Sequence, residues 1–222
     1  MTRSRAVAPL PPASPDLPAT LDPLTSAPDE LRGLALEERL LHGLDLSNRT
    51  AHDLRVAESR FEGVDLSSSA APGLSMRDVV VLEGSWAGVN LDAARLERVE
   101  LRGVRLTGGV LTSAALTDVS FVDCRIDLAS FRFSELLNVR FEGCRLEEAD
   151  FYEAKLTSVL LSGCDLSRAS LAGATFVRSE LRGCRLEALG NPERLRGVRM
   201  PMPDVVQAAD VIAAAAGIEI VE

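Results

Sequence analysis

Large apolar residues recur at every fifth position along most of this chain. From Leu41 to Leu186 they form thirty sites in one unbroken register, and all but Ala51 and Ala71 hold Leu, Phe, Val, Ile, Met or Trp. A period of five is neither the 3.6 residues of a helix nor the two residues of a strand. Repetition at a fixed period predicts a solenoid, in which each repeat packs only on its neighbours.

A second column of smaller residues lies two positions before each large one. From Leu44 to Cys184 this column holds Leu, Val, Ala, Cys, Ser or Gly, with Arg49 as its exception. Two inward positions separated by one outward position reproduce the alternation of a short strand. The remaining residues of each pentad must turn a corner, which suits the glycines at 43, 63, 73, 88, 103, 108, 143, 163, 173 and 183.

The cysteines indicate how many sides the coil has. Cys124, Cys144, Cys164 and Cys184 are twenty residues apart, which is four pentads. We therefore predict a square β-solenoid with four five-residue sides, whose coils pair as parallel strands. About eight coils between residues 31 and 190, spaced by about 4.8 Å, would give a rod roughly 38 Å long.

The largest inward residue is matched by a small neighbour. Trp86 follows Gly84 in the small column, and Leu111 follows Gly109. Close packing predicts such compensation, since one inward site can grow only where the other shrinks.

The two ends of the chain fall outside the repeat. Residues 1–30 hold seven of the eleven prolines and predict a polar, partly extended tail. Residues 31–200 form the predicted solenoid, although the register breaks after Leu186 and restarts, shifted by one, at Leu195 and Met200. Residues 201–222 predict a helix from Pro203 to a stop at Gly217, then a short strand, "IEIVE", that caps the rod or pairs two rods.

Composition narrows the function classes. The net charge of −9 argues against direct nucleic-acid binding, which needs cations to neutralise phosphates. There is no run of about 20 apolar residues, so we expect no membrane span. The N-terminus lacks the apolar segment of a signal peptide, so we expect a cytoplasmic protein.

Catalytic or metal-binding chemistry is not indicated. The parallel Cβ vectors of the stacked cysteines cannot bring four sulfurs round a tetrahedral ion, and we interpret these residues as buried small side chains. The two histidines, His42 and His52, lack a catalytic constellation. We expect no enzyme activity and no cofactor.

The pentads resemble a known family. "GVDLS", "GVNLD", "EADFY", "GCDLS" and "RASLA" match the signature of pentapeptide repeat proteins over roughly residues 31–200. This resemblance implies a right-handed quadrilateral parallel β-helix. The segment "VVQAADVIAAAAGIEIVE" resembles the C-terminal helix and strand of the gyrase-protecting subgroup, in which it forms a two-fold dimer and the rod mimics DNA to bind type II topoisomerase. It implies a homodimer through Val205, Val206, Ala209, Ile212, Ala213, Ile218 and Ile220.

The outward positions leave two functions open. DNA mimicry needs a sustained negative surface, and charges summed by face show no strongly acidic side. Several outward residues are apolar and are candidate contacts for a protein partner or for the N-terminal tail: Val80, Leu82, Val122 and Leu160 on one face, together with Phe133 and Leu137. The hypotheses are a gyrase-binding protector and a general protein-binding scaffold with an unrelated partner.

Overall fold

A computed structural model describes residues 8–28 and 31–221 of the chain. Thirteen strands form one parallel sheet wound into a solenoid: β1 Asp22–Leu24, β2 Ala35–Glu37, β3 Arg39–His42, β4 Arg55–Glu62, β5 Ser75–Leu82, β6 Arg95–Arg102, β7 Ala115–Val122, β8 Glu135–Leu137, β9 Arg140–Glu142, β10 Lys155–Thr157, β11 Leu160–Ser162, β12 Thr175–Val177 and β13 Glu180–Arg182. A 3-10 helix, Pro192–Leu195, and two short helices follow, α1 Met202–Gln207 and α2 Ala209–Ala215.

The strand register confirms the four-sided coil. Arg55 pairs with Ser75, Ser75 with Arg95 and Arg95 with Ala115, always twenty residues apart. Isolated bridges with the same offset, such as Asp45–Asp65 and Thr50–Ala70, carry the ladder along the other two sides. The result is a parallel β-solenoid of about eight turns, in which adjacent coils are separated by the usual distance between hydrogen-bonded strands.

The interior contains both predicted columns. Every large site from Leu41 to Leu186 is buried, except Phe176, which is half-buried. Two pairs of phenylalanines stack along the rod axis, Phe121 on Phe141 at 4.8 Å and Phe131 on Phe151 at 5.0 Å between ring centroids. Such stacking adds to the stabilisation from buried apolar area.

Each corner is a residue in the left-handed backbone region. Every fifth residue from Gly33 to Ala188 has a positive φ, and the predicted glycine corners are among them. Most of the corners nevertheless hold other residues, including Leu128 and Phe133 at φ 59° and 57°. The coil geometry therefore imposes this conformation even on side chains for which it costs about 1–2 kcal/mol.

Gly84 is small for a reason that differs from the predicted one. A Cβ at this position would lie 2.4 Å from the carbonyl oxygen of Val64 in the preceding coil, so the close approach is to backbone and not to the Trp86 ring. Gly109 fits the volume argument better, because its Cβ would be 3.7 Å from a methyl group of Val89, although it would also be 3.0 Å from the Leu106 carbonyl oxygen.

The ends of the rod are closed by chain from outside the repeat. At the first coil, β1 pairs with β3, while Arg49, the exception in the small column, donates a hydrogen bond to the Pro28 carbonyl. At the last coil, Val211 and Ala208 are buried against the core, and Leu195 and Met200 pack on it. The predicted single helix is two helices that meet at Ala208, and residues 218–221 form no strand within the chain.

Candidate interaction surfaces

The four candidate contacts on one face do not form a continuous strip. Val80, Leu82, Val122 and Leu160 all point outward and are half-buried. The register places Val80 between Arg60 and Glu100 of the adjacent coils, and the other three are likewise flanked by charged residues on both sides. Val80 and Leu82 are neighbours on β5, while Val122 and Leu160 stand apart from them among charged residues. A few apolar residues on a charged face are normal for a soluble protein.

The other two candidates are exposed, and one of them, Phe133, belongs to a small aromatic cluster with Tyr152 and Arg132. Phe133 and Leu137 are 47% and 41% exposed. The Phe133 ring packs edge-on against Tyr152 at 5.4 Å, and the Arg132 guanidinium lies 4.3 Å from the centre of the Tyr152 ring. Tyr and Arg are the residue types most often found at the centre of protein interfaces.

Two exposed apolar residues on the coils of the rod were not identified from the sequence. Leu128 is 58% exposed at a corner, and Val177 is 52% exposed. Val177 pairs with Thr157, which pairs with Leu137, so it lies on the same face as Leu137, two coils further along the rod. Both are apolar residues at positions that the five-residue register places on the outside, and this combination is the sequence signal that would have identified them.

Residues 192–221, the C-terminal cap, have one face on the rod and one in solvent. The Asp204 carboxylate anchors the cap by accepting a hydrogen bond from the Gly183 backbone N–H at 2.7 Å. Of the predicted dimer residues, Val205, Ile212 and Ala213 are half-buried, whereas Val206, Ala209, Ile218 and Ile220 are exposed. The cap thus brings together an apolar set that its own rod covers only in part.

An open groove of about 500 Å³ runs beside this exposed set. It is lined by Pro192, Glu193, Leu195, Arg196, Val198, Met200, Val205, Ile212, Ala215 and Ala216. Its walls are mostly apolar, with Glu193 and Arg196 as the charged side chains. A groove of this kind suits an apolar segment of a protein better than a charged small molecule.

The outer surface of the rod carries ion pairs both between coils and within a coil. Arg98 donates two hydrogen bonds to the Asp78 carboxylate, at 2.6 and 2.7 Å, and holds the pKa of that carboxyl below its usual range. Lys155 and Glu135 pair at 2.8 Å in the same way, one coil apart. Because acids and bases alternate over the described coils, the sides carry no sustained negative field.

The cysteines lie in the core of the rod, and the two histidines lie on its surface. The four cysteines are free and buried, and each thiol donates to a backbone carbonyl of the preceding coil, as Cys144 does to Phe121 at 3.3 Å. Contact with the Cys124 thiol, together with burial, raises the pKa of Cys144 to about 12. His42 makes an exposed contact with Glu62 at 3.2 Å, and His52 is exposed.

No helix in the described part of the chain is long and apolar enough to cross a membrane.

Solved structures that match the chain include HetL, a pentapeptide repeat protein involved in heterocyst differentiation regulation in the cyanobacterium Nostoc sp. strain PCC 7120. It is 22% identical, the match covers 78% of this chain and 90% of HetL, and the TM-score is 0.44.

A second structure is trypsin-treated QnrB1, a plasmid-mediated fluoroquinolone resistance protein, with 16% identity, coverage of 91% and 97%, and a TM-score of 0.43. A pentapeptide repeat protein from the thylakoid lumen of Arabidopsis thaliana is 20% identical over 59% of this chain and 75% of its own, with a TM-score of 0.27. No curated protein matches the chain in sequence.

In sequence, residues 94–171 match the protein-family model described as the pentapeptide repeat region. The twenty-residue register of the structure continues beyond that segment in both directions, from β2 to β13. The chain therefore contains a pentapeptide repeat region, and its coils extend on both sides of the matched residues.

Proposed function

We propose that this chain is a non-catalytic, protein-binding rod that works as a homodimer through its C-terminal cap. The observation that carries the proposal is the exposure of five large apolar side chains in the cap: Met202 at 73%, Val206 at 68%, Ile218 at 61%, Ile220 at 63% and Val221 at 82%. Apolar surface concentrated in this way marks an interaction site. A two-fold axis is the commonest way for a chain to bury such a patch against itself.

The groove beside this patch supports the same interpretation. Val205 and Ile212 line it and are half-buried, so a second copy could complete their burial. Residues 218–221 pair with no strand among the described residues, and pairing with the same residues of a second copy would form the strand that the sequence predicts.

The dimer is tested with two exposed positions, so that the fold of each rod is preserved. Val206→Asp combined with Ile220→Asp places charge in the proposed interface, and we expect light scattering to give half the mass of the wild-type protein. Val177→Asp is the control, because it also adds charge at an exposed apolar residue, on the side of the rod. A monomeric wild-type protein, or an unchanged mass in the double variant, would contradict the dimer.

Type II topoisomerase is the partner we propose to test first, because residues 205–222 resemble the C-terminal segment of gyrase protectors. QnrB1, of similar fold, is a fluoroquinolone resistance protein. The assay is DNA supercoiling by gyrase with and without a fluoroquinolone. Protection or inhibition at micromolar protein is expected. A protein without either effect would rule out this partner and leave the dimer untouched.

A scaffold with an unrelated partner is the second candidate, and the exposed residues Phe133, which packs on Tyr152, and Leu137 favour it. Replacing Phe133 and Leu137 with Ser should release the protein that the wild-type rod captures. The four half-buried residues, Val80, Leu82, Val122 and Leu160, give the comparison variant, also changed to Ser. If both variants retain every captured protein, the scaffold hypothesis fails at these surfaces.

A further inference from the structure

The N-terminal segment lies along the outside of the rod with a three-residue rhythm. Its half-buried residues are Pro9, Pro12, Pro15 and Pro18, followed at the same spacing by Leu21 and Leu24. Every other residue from 8 to 24 is exposed, apart from Leu17. Three residues per turn is the period of a polyproline II helix, so one of its three faces rests on the rod.

Two hydrogen bonds fix the position of residues 8–20, which we name the strap. The Ala13 backbone N–H donates to an Asp118 carboxylate oxygen at 3.1 Å, and that of Asp16 donates to Asp78 at 3.1 Å. Asp78 and Asp118 occupy the same corner of the solenoid, forty residues and therefore two coils apart. The strap thus runs along a corner, parallel to the rod axis.

The spacing of the peptide matches the spacing of the rod. Three residues of polyproline II helix rise about 9.3 Å, and two coils of the solenoid rise about 9.6 Å. A carboxylate on every second coil can therefore meet a backbone N–H on every third residue without strain. Because the distance between the carboxylates is set by the coils, any other polyproline II peptide would match the corner in the same way as the strap.

The corner also distinguishes among extended peptides. Each N–H that it binds belongs to the residue directly after a half-buried proline, Ala13 after Pro12 and Asp16 after Pro15. Prolines supply the preformed helix, but proline has no N–H to donate. The corner therefore fits a peptide with proline at every third position and a different residue following each one.

The acceptors at this corner are held in place by the rod itself. Arg98 fixes the Asp78 carboxylate with two hydrogen bonds, and its guanidinium is the main cause of the lowered pKa of Asp78, to which the Asp16 N–H also contributes. Asn138 contacts the Asp118 carboxylate at 3.4 Å. Carboxylates fixed before binding lose little freedom when a peptide arrives, which favours affinity.

We propose that this corner is a binding site for a proline-rich segment of a partner protein, and that the strap occupies the site as an intramolecular competitor. The strap is only half-buried, and the core and ladder from residue 31 onward form without it. β1 tethers the end of the strap to the first coil, so the strap competes at a high effective concentration. The inference does not rest on the dimer or on a topoisomerase.

The experiment keeps the full chain and disables the strap. Pro9, Pro12, Pro15 and Pro18 are changed together to Gly, which removes the preformed helix and leaves the rod and β1 intact. The probe is a fluorescein-labelled peptide of residues 8–20, and binding is measured by fluorescence anisotropy. We expect the strap-disabled chain to bind at least about tenfold tighter than the wild type, because its own strap no longer competes. A peptide of the same composition with its prolines out of the three-residue spacing should bind neither.

A change on the rod tests the corner itself. Asp118→Gly in the strap-disabled chain removes one acceptor without backbone strain, since Asp118 has φ 55°. We expect it to weaken the peptide about tenfold, the effect of one charge-assisted hydrogen bond. Asp123→Gly is the matched control at φ 51° on the next corner, and it should leave binding unchanged.

Trp86 fluorescence verifies that each variant is folded. The proposal is overturned if the folded, strap-disabled chain does not bind the peptide. It is also overturned if the shuffled peptide binds equally well, or if Asp118→Gly has no greater effect than Asp123→Gly.

Discussion

Replacing Gly84 with Ala tests whether contact between the coil backbones, and not core volume, determines the sequence at that point. Gly84 has φ +94°, and a Cβ there would lie 2.4 Å from the carbonyl oxygen of Val64. Gly88 provides the matched control, with φ +64° and a Cβ that would meet only Ser68 Oγ, at 3.9 Å. Both substitutions add one methyl group to a glycine of positive φ in the same coil.

The magnitude follows from these two environments. At Gly88 the added methyl group should cost about 1–2 kcal/mol, the penalty for a side chain in the left-handed region. At Gly84 the backbone strain costs about 1–3 kcal/mol. The clash must also push the Val64 carbonyl away and disturb the neighbouring ladder hydrogen bonds, Leu66 N–H to Ser85 and Arg105 N–H to Gly84. With about 0.5–1.5 kcal/mol for each bond, the Gly84 variant should lose about 2–6 kcal/mol.

The assay is urea denaturation followed by fluorescence of Trp86, the single tryptophan, which is 1% exposed. Far-UV circular dichroism provides a second probe that does not depend on the neighbourhood of the mutation. At equal m-values the difference in midpoints gives the difference in stability. Equal midpoints for Gly84→Ala and Gly88→Ala would refute the argument, because they would show that the Val64 carbonyl does not constrain this site.

Three further predictions concern the core, the ion pairs and the thiols. Phe141→Ala, at a fully buried residue stacked on its neighbour, should cost about 3–5 kcal/mol in urea denaturation; Phe133→Ala, at a 47% exposed residue, should cost far less. Asp78→Asn should lower stability at neutral pH by about 1.5–3 kcal/mol. Because the folded-state pKa of Asp78 is depressed, its contribution is present above the unfolded pKa and lost as the pH falls, so the variant should show a shallower acid transition by circular dichroism. Cys144, with its pKa raised to about 12, should react with a thiol reagent only as fast as the rod unfolds; rapid labelling of the native protein would contradict this.

The interior of the rod could be predicted from the sequence because two columns repeat in one register. Leu41 and Leu186 lie at the ends of one column and are both buried, at 0% and 4% exposure. The cysteine spacing predicted the twenty-residue coil that the strand pairs confirm. Side chains point alternately to the two faces of a strand, so the pattern of apolar residues is sufficient to identify the positions that face the interior.

Features that depend on the path of the backbone could not be predicted in this way. Glycine marked some corners, but the conformation at Leu128 and Phe133 is set by the ladder on either side, and their residue types argue against it. The clash at Gly84 involves an atom of the preceding coil, twenty residues away. The prolines of the strap already show a spacing of three in the sequence. Only the fold reveals that two coils of the solenoid rise by the same distance as three residues of the strap.

The two ends of the rod differ in what their covering segments leave exposed. At the first coil, β1 covers the edge of β3 and Leu24 packs on the core. At the last coil, Val211 is 7% exposed and closes the interior, while Val206 and Ile220, at 68% and 63%, face away from it. Closing a solenoid requires only the inner face of a cap, and a cap with no other role has a polar outer face for solubility. Because the outer face of this cap also carries large apolar side chains, protection of the rod end does not account for them, and they support the proposed association with another protein surface.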